Sequence, residues 1–251
     1  MQRNWKRKHA IVVGASGGIG EQLVRKLTAR GCKVALVGRR EDKLRHISTE
    51  INGASLNLAH PFAIDITDFA SAEEHFDRIV RELGGLDIII FAAGVMPKIA
   101  PTEYDIDKDK LIVDTNLISA MAWLNPAAKR FERAKSGTIV GIGSPSGDRG
   151  RRGNPAYGAS KAGLECYLES LRNRLSHHNV NVVTVKPGPV ATEMTKDLGK
   201  QPFMVSADYA AEKILHSATK FGKTVYIPWI WWLIMKVVKS IPSFIFRKMK
   251  F

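Results

Sequence analysis

"VVGASGGIGEQL", residues Val12 to Leu23, joins a β-branched run to an amphipathic stretch through four glycines in seven positions. A strand that stops on glycine and restarts as a helix is the first half of a βαβ unit, and the turn between them is where such folds receive phosphate groups. Gly14 allows the tight turn, Gly18 lets backbone approach a pyrophosphate, and Gly20 allows the helix to pack closely on the strand. The spacing reads G-x-x-x-G-x-G rather than G-x-G-x-x-G. By itself this turn is weak evidence of a dinucleotide site, because a purely structural strand-to-helix junction uses the same residues.

Outward from this turn the chain keeps alternating. "AIVVG", "KVALVG", "DIIIFAAG", "GTIVGIG" and "NVVTVKPG" are short, continuous and rich in β-branched residues, as expected of strands covered on both faces. Between them "EQLVRKLTAR", "SAEEHFDRIVREL", "DKLIVDTNLISAMAWLNPAAKRFE" and "KAGLECYLESLRNRLSHH" carry helical spacing. This order predicts right-handed βαβ units and an α/β, Rossmann-type, doubly wound parallel sheet. With 251 residues, 45% of them hydrophobic, and no Pro/Gly-rich linker, the chain is expected to form a single domain around one large core.

The formal charge of +14 is unevenly spread. Met1 to Lys8 holds four Lys/Arg and no acid, Lys213 to Phe251 holds eight Lys/Arg and no acid, and His9 to Glu212 balances 26 bases against 24 acids. A nearly neutral middle with basic ends and no reading motif argues against nucleic-acid binding. Cys32 and Cys166 are too few for a disulfide framework and lack ligand spacing, so a reducing, cytoplasmic compartment and no metal are expected. "MQRNWKRKHAIVVGASG" has a basic run but too short an apolar stretch for a signal peptide.

In a doubly wound sheet, ligands sit beyond the carboxyl ends of the strands. An NAD site usually ends its second strand with an acid that accepts from the ribose 2′-hydroxyl, whereas here Gly38 is followed by Arg39 and Arg40. A guanidinium grips a 2′-phosphate through paired charge-assisted hydrogen bonds, which favours NADP. In the bland reading the arginines are solvated, and Glu41 and Asp42 simply complement the start of the next helix.

"YGASK", Tyr157 to Lys161, sets a phenol and an ammonium one helical turn apart. A phenol with an ordinary pKa of about 10 is a poor acid–base catalyst at neutral pH, and a nearby cation favours its ionised form. Ser144 follows a buried strand thirteen positions earlier, and Asn116 interrupts the apolar rhythm of "IVDTNLISAM". Each is unremarkable alone, but their order is not.

Together "GASGGIG", "DIT" at Asp65, "AAG" at Ala92 to Gly94, "TNL", "GSPSG", "YGASK" and "KPGPVATEM" resemble the short-chain dehydrogenase/reductase family over about residues 8 to 227. The resemblance implies Tyr157 as general acid/base, Lys161 lowering its pKa and holding the nicotinamide ribose, Ser144 positioning the substrate carbonyl, and Asn116 supporting a water-linked proton relay. It implies that Asp65 contacts the adenine and that Pro187, Gly188, Val190 and Thr192 lie beside the nicotinamide. It also adds Ser16, Ile19, Ala93 and Gly94 to the residues that contact NADP(H). The reaction it implies is hydride transfer between NADP(H) and a carbonyl/alcohol pair. Two departures stand out. The family usually begins its glycine motif with Thr and has Asn-Asn-Ala-Gly after the fourth strand, whereas this chain has Val13 and Phe91-Ala92, so a polar tie becomes apolar. Many relatives end in a glycine-rich strand and short tail that help build a tetramer, whereas this chain continues "VYIPWIWWLIMKVVKSIPSFIFRKMKF".

Val225 to Met235 carries no charge but falls far short of the roughly 20 apolar residues that span a bilayer. Trp229, Trp231 and Trp232, and then Phe244, Ile245 and Phe246 beside Arg247, Lys248 and Lys250, suit a segment lying at an anionic membrane surface. The competing expectation is that these helices cover the substrate pocket or make a dimer contact. The sequence therefore predicts a dehydrogenase/reductase domain over residues 1–227 and a hydrophobic, basic, helical extension over 228–251. The expected protein is cytoplasmic or peripheral on the inner face of a membrane, a homodimer or homotetramer, and acts on a hydrophobic carbonyl or alcohol. Two alternatives stand beside it. One is a 3-oxoacyl-acyl-carrier-protein reductase that uses Arg149, Arg151 and Arg152 to meet an acidic carrier; the other is an NADP-binding sensor or scaffold without turnover.

Overall fold

The computed structural model describes residues 5–53, 57–100, 102–199 and 201–249; of the basic ends considered above, Arg3, Lys250 and Phe251 lie outside the described residues. Nine strands occur among the described residues: β1 (His9–Val13), β2 (Lys33–Gly38), β3 (Ala59–Ala63), β4 (Ile88–Phe91), β5 (Gly137–Ile142), β6 (Val180–Pro187), β7 (Val190–Ala191), β8 (Val205–Ser206) and β9 (Thr224–Ile227). Seven form one sheet in the order β3-β2-β1-β4-β5-β6-β9, and every pairing in it is parallel. β7 and β8 make a separate two-strand ribbon.

Alternation along each strand explains why the central runs are continuously apolar. Ile11, Val13, Ile89, Phe91 and Ile139 join one core cluster, while Ala10, Val12, Ile88, Ile90 and Val140 join another. Successive side chains point to opposite faces, so both sets must be greasy when helices cover both faces. The first face is covered by α3 (Ala72–Leu83), α5 (Ser119–Ala134) and α6 (Pro155–Leu175) through Phe76, Trp123 and Leu168. The second is covered by α1 (Gly18–Ala29), α2 (Glu41–Asn52) and α7 (Ala207–Ala218) through Leu23, Leu44 and Ile214. α4 (Ile106–Val113) runs into α5 through a five-residue π turn, Asp114–Ile118, which carries Asn116.

All five strands expected from the apolar runs are present. β3 and β9 are additional in the main sheet, and the short β7 and β8 lie outside it. β3 reads "AHPFA", and its proline is tolerated because β3 is an edge strand. Val13 and Phe91 lie directly opposite each other in the β1–β4 register, both fully buried. The expected polar-to-apolar exchange between the first and fourth strands is therefore a buried hydrophobic pair, with the Ala92 N–H donating to Val13 O at 2.8 Å.

The glycine turn is fixed by close approach. Gly14 has φ +90°, and a Cβ there would meet the Ala93 nitrogen at 2.5 Å; a Cβ on Gly20 would land on the Gly14 carbonyl oxygen. Backbone has no flexible end to retract, in contrast to Gly141, whose Cβ would meet the terminal methyls of Leu168. Gly20→Ala is therefore expected to lower unfolding free energy by about 2 kcal/mol, and Gly141→Ala by clearly less, in urea denaturation. Equal losses would show that the α1–β1 approach has slack.

Candidate active site

The strand order reverses between β1 and β4, and the loops leaving the two strands diverge there into a crevice. A cleft of about 1270 Å³ occupies it. Among the residues read from sequence, it is lined by Gly14, Ser16, Gly18, Ile19 and Gly20 from the first turn, by Arg39 and Arg40, and by Ala93 and Gly94. Ser144, Tyr157, Lys161, Pro187, Gly188, Val190 and Thr192 line it from the other side. Asp65 and Asn116 do not line it. The Asp65 Oδ1 accepts from Thr67 N–H and Oγ1 at 2.9 and 2.7 Å, so this oxygen closes a turn whose next residues, Ile66 and Thr67, reach the cleft. These hydrogen bonds, the backbone one foremost, and the charge of Arg39 hold the Asp65 carboxyl below its ordinary value.

At the first turn, Gly17 stands at the N-cap of α1 and offers no side-chain cap. The first N–H groups of that helix thus open toward the cleft with the positive end of the helix dipole behind them. Arg40 folds over this turn: its Nε donates to Ser16 Oγ at 3.0 Å and its guanidinium to Ser16 O at 2.9 Å. Thr192 closes the turn from the opposite side, 3.2 Å from where a Gly18 Cβ would stand. Lys43, one turn into α2, adds a cation to the same end, which the sequence reading missed.

At the other end, Asn154 caps α6 by accepting from Tyr157 N–H at 3.0 Å, which places Tyr157 in the first helical turn. Lys161, one turn later and buried, donates to Ile142 O at 2.8 Å, and its ammonium lies 5.8 Å from the centre of the Tyr157 ring. Burial brings its pKa down to about 8, against the opposing charge of Glu165. Burial likewise holds the Tyr157 phenol above its ordinary value, with a hydrogen bond to Ser144 opposing and Glu165 reinforcing the rise. In the protein alone the tyrosine therefore favours its protonated form, the reverse of the lowering expected from a lysine neighbour. Ser144 Oγ accepts from Ser146 N–H at 3.1 Å, which leaves its own O–H as the donor toward Tyr157. Asn116 is fully buried; its side chain grips the Val95 backbone at both N–H (2.7 Å) and C=O (3.0 Å) and donates to Ser160 Oγ at 3.1 Å. It holds the loop after β4 in place.

Behind Ser144 lies an ion cluster that the sequence reading did not contain. Glu165 accepts from Ser144 N–H at 2.9 Å and pairs with Lys186 at 2.7 Å, and Lys186 pairs with Asp148 at 2.8 Å. Tyr226 donates to Asp148 at 2.9 Å. Their charged side chains are only 4 to 10% exposed. Burial alone would depress the Lys186 ammonium, but Glu165 and Asp148 hold it above its ordinary value; burial raises the Glu165 carboxyl despite Lys186. No local sequence pattern could have found this cluster, because its members come from α6, β6, β9 and the loop after β5.

The last elements are α8 (Ile230–Ser240) and α9 (Ser243–Phe246). Trp231 turns inward, where its indole stands over Gly188, which has no Cβ to displace it, and forms one wall of the cleft. Phe203 meets it edge-on with ring centres 6.4 Å apart. Arg149 stacks over Phe246 at 3.9 Å and donates to Val238 O, and Arg151 donates to Met235 Sδ at 3.3 Å. Two of the three arginines considered for an acidic carrier thus fasten this segment to the loop after β5.

Residues 8–202 match the family model for short chain dehydrogenases, and the chain belongs to this family. It is similar to an uncharacterized oxidoreductase of Myxococcus xanthus, 32% identical over 238 residues that cover 94% of each chain. Among solved structures, it resembles a short-chain type dehydrogenase/reductase from Mycobacterium marinum, at 25% identity and a TM-score of 0.80 over 89% of this chain and 94% of that one. A short chain dehydrogenase from Burkholderia cenocepacia, solved in complex with NADP, matches at a TM-score of 0.84 over 100% of both chains, at 21% identity.

Lys186→Met would leave two buried carboxylates without their cation, at an expected cost of about 3 kcal/mol. The sign with pH follows from Glu165. Its folded pKa lies above the ordinary 4.5 even with Lys186 present, so the folded state binds this proton more tightly than the unfolded chain, and stability from this group falls as pH rises through that window. Removing Lys186 raises the folded pKa further. The deficit of the variant should thus be small near pH 4 and grow toward pH 7 in denaturant titrations; a pH-independent deficit would count against an ionic origin.

Proposed function

We propose that this protein is an NADP(H)-dependent oxidoreductase that transfers hydride between nicotinamide and a carbonyl/alcohol group of a hydrophobic, lipid- or steroid-like substrate. The observation that carries this reading is one cleft with two ends of different chemistry. Arg39, Arg40 and Lys43 stand at one end, and Ser144, Tyr157 and Lys161 at the other. The first turn fits a pyrophosphate because its glycines present backbone without side chains and its helix start is uncapped. The cationic end fits a 2′-phosphate, and no acid stands where an NAD enzyme would place one. The Burkholderia protein with NADP bound supports the same cofactor.

NADPH supplies the hydride; proton and positioning fall to the chain. Tyr157 donates its hydroxyl proton to the substrate oxygen as that oxygen becomes an alcohol, and recovers one from water through the buried lysine. Ser144, its lone pair engaged by Ser146 N–H, donates a hydrogen bond to the same oxygen and polarises the carbonyl. Lys161 is cationic below about pH 8, favours the phenolate left after transfer and holds the ribose. Asn116 acts as a positioning residue through the Val95 backbone. Asp65 serves the adenine end, with Ile66 and Thr67 beside it, while Pro187, Gly188, Val190 and Thr192 face the nicotinamide.

The substrate end is walled by Trp231, Met96, Met194 and Pro189, which suits a hydrophobic molecule better than a sugar. This reading takes residues 1–227 as the dehydrogenase unit and 228–251 as an extension that meets a membrane surface, and it includes assembly as a homodimer or homotetramer. No helix among the described residues is long and apolar enough to cross a membrane.

NADPH oxidation against a panel of long-chain, steroid, sugar and acyl-thioester carbonyls tests the reading: turnover confined to sugars, or absent throughout, would refute it. Tyr157→Phe should keep the fold and NADPH affinity while losing about 10² or more in turnover; near-normal turnover would remove Tyr157 from the acid role. Unmutated protein should bind NADPH more tightly than NADH. Converting Arg39 and Arg40 together to Ala should shrink that preference at least tenfold, each charge-assisted contact being worth about 1.5–3 kcal/mol; equal affinities before mutation would exclude the NADP assignment.

A further inference from the structure

α8 has two apolar faces, and only one of them is covered. Trp231, Met235 and Val238 are buried against Tyr226, Ile234 and Phe246. On the other side, Trp229, Leu233 and Val237 follow one another at helical spacing with 71, 46 and 58% exposure, and Trp232 flanks them. Phe244 and Ile245 in α9 are exposed as well. A water-facing helix would place polar residues there, and single exposed apolar residues need no explanation, but a run along one face does.

The polar residues that accompany this face are of one sign. Lys236 stacks over Trp232 at 3.9 Å, Lys239 lies one turn from Met235, and Arg247 and Lys248 follow α9; no acid occurs between Lys213 and Phe251. A protein partner matched to this face would have to be both apolar and acidic, whereas a second copy would bring its own cations against these and be repelled. Anionic lipid offers negative headgroups above hydrocarbon, with the depth order of cation, indole and aliphatic chain that this face presents.

We propose that the outer face of α8, with Trp229, Trp232, Leu233 and Val237 inserted and Lys236, Lys239, Arg247 and Lys248 at the headgroups, docks this protein in plane on an anionic membrane. The proposal rests on the reading of a hydrophobic-substrate reductase for its purpose. Trp231, on the inner side of the same helix, walls the substrate end of the cleft, so docking brings the mouth of the site to the surface where an apolar carbonyl compound is dissolved.

The test is cosedimentation of the full chain with phosphatidylcholine vesicles and with vesicles containing phosphatidylglycerol, at low and high salt. Two variants keep the inner face intact: Trp229→Ala/Leu233→Ala and Lys236→Glu/Lys239→Glu. Binding should require phosphatidylglycerol, weaken with salt, shift tryptophan emission to the blue, and fall at least about tenfold in each variant. Circular dichroism should show both variants folded. If the unmutated chain stays in the supernatant at low salt, or binds both vesicle types equally, the proposal is overturned. If vesicles are not bound and light scattering shows a dimer that the Trp229→Ala/Leu233→Ala variant loses, the face joins two copies instead. Vesicle binding needs neither cofactor nor turnover, whereas NADPH oxidation with a short soluble ketone needs no membrane, so the two readings fail separately.

Discussion

One carboxylate holds the site together. Glu165 gives one oxygen to the Ser144 backbone N–H and the other to Lys186, and Lys186 reaches Asp148, which is held in turn by Tyr226. These contacts fasten the loop after β5 to α6, β6 and β9 at one point. The packing admits no other side chain: a Cβ on Gly143 or Gly147 would meet the Glu165 carboxylate at 2.5 or 2.7 Å. Burying three charges is expensive, and an apolar cluster of equal volume would stabilise the fold as well or better. What an apolar cluster could not do is accept the Ser144 N–H, and Ser144 is the residue that the proposed reaction sets against a substrate oxygen.

The same cluster sets the electrostatics in front of it. Two carboxylates against one ammonium leave a net negative charge behind Tyr157 and Lys161, in surroundings where burial already disfavours ions. Burial is the main cause of the low Lys161 and high Tyr157 values; Glu165 offsets part of the first and adds to the second. A tyrosine held in its protonated form suits the proton-donating role proposed for it in carbonyl reduction.

Local sequence carried much of this. The Val12–Leu23 turn, the five apolar strands and the Tyr157/Lys161 spacing were legible because their physics is contained within a few residues: period two, period 3.6, and glycine where backbones touch. Edge strand β3 was not, because "AHPFA" has neither an apolar run nor alternation, and only its place beside β2 makes it a strand. The role of Asn116 was half legible. The sequence showed a polar residue interrupting an apolar rhythm, but its grip on Val95 depends on the π turn that rotates it inward, which no periodicity announces. Glu165, Lys186 and Tyr226 were silent, since their partners lie up to 78 residues away in sequence. Trp231 and Trp232 are adjacent in the chain, and only the helix separates the wall of the cleft from the outside.

That separation bears on what the outer face is for. An eleven-residue helix is marginal in water, and α8 is held by its inner side: Trp231 on Gly188, Met235 under Arg151, Val238 bonded through its carbonyl to Arg149. Trp229, Leu233 and Val237 add nothing to that packing, and left in water they favour aggregation. At about 1.5 Å per residue the helix is some 16 Å long, half the thickness of a hydrocarbon core, so it cannot hide these residues by crossing one. In the proposed docking, a helix lying in the headgroup plane would bury the outer stripe without disturbing the inner one, with Lys236, which folds over Trp232, and Lys239 reaching for phosphates. The proposed docking asks the cleft wall to stay rigid while the opposite side meets lipid, and one short helix can serve both demands because successive residues on it face different environments.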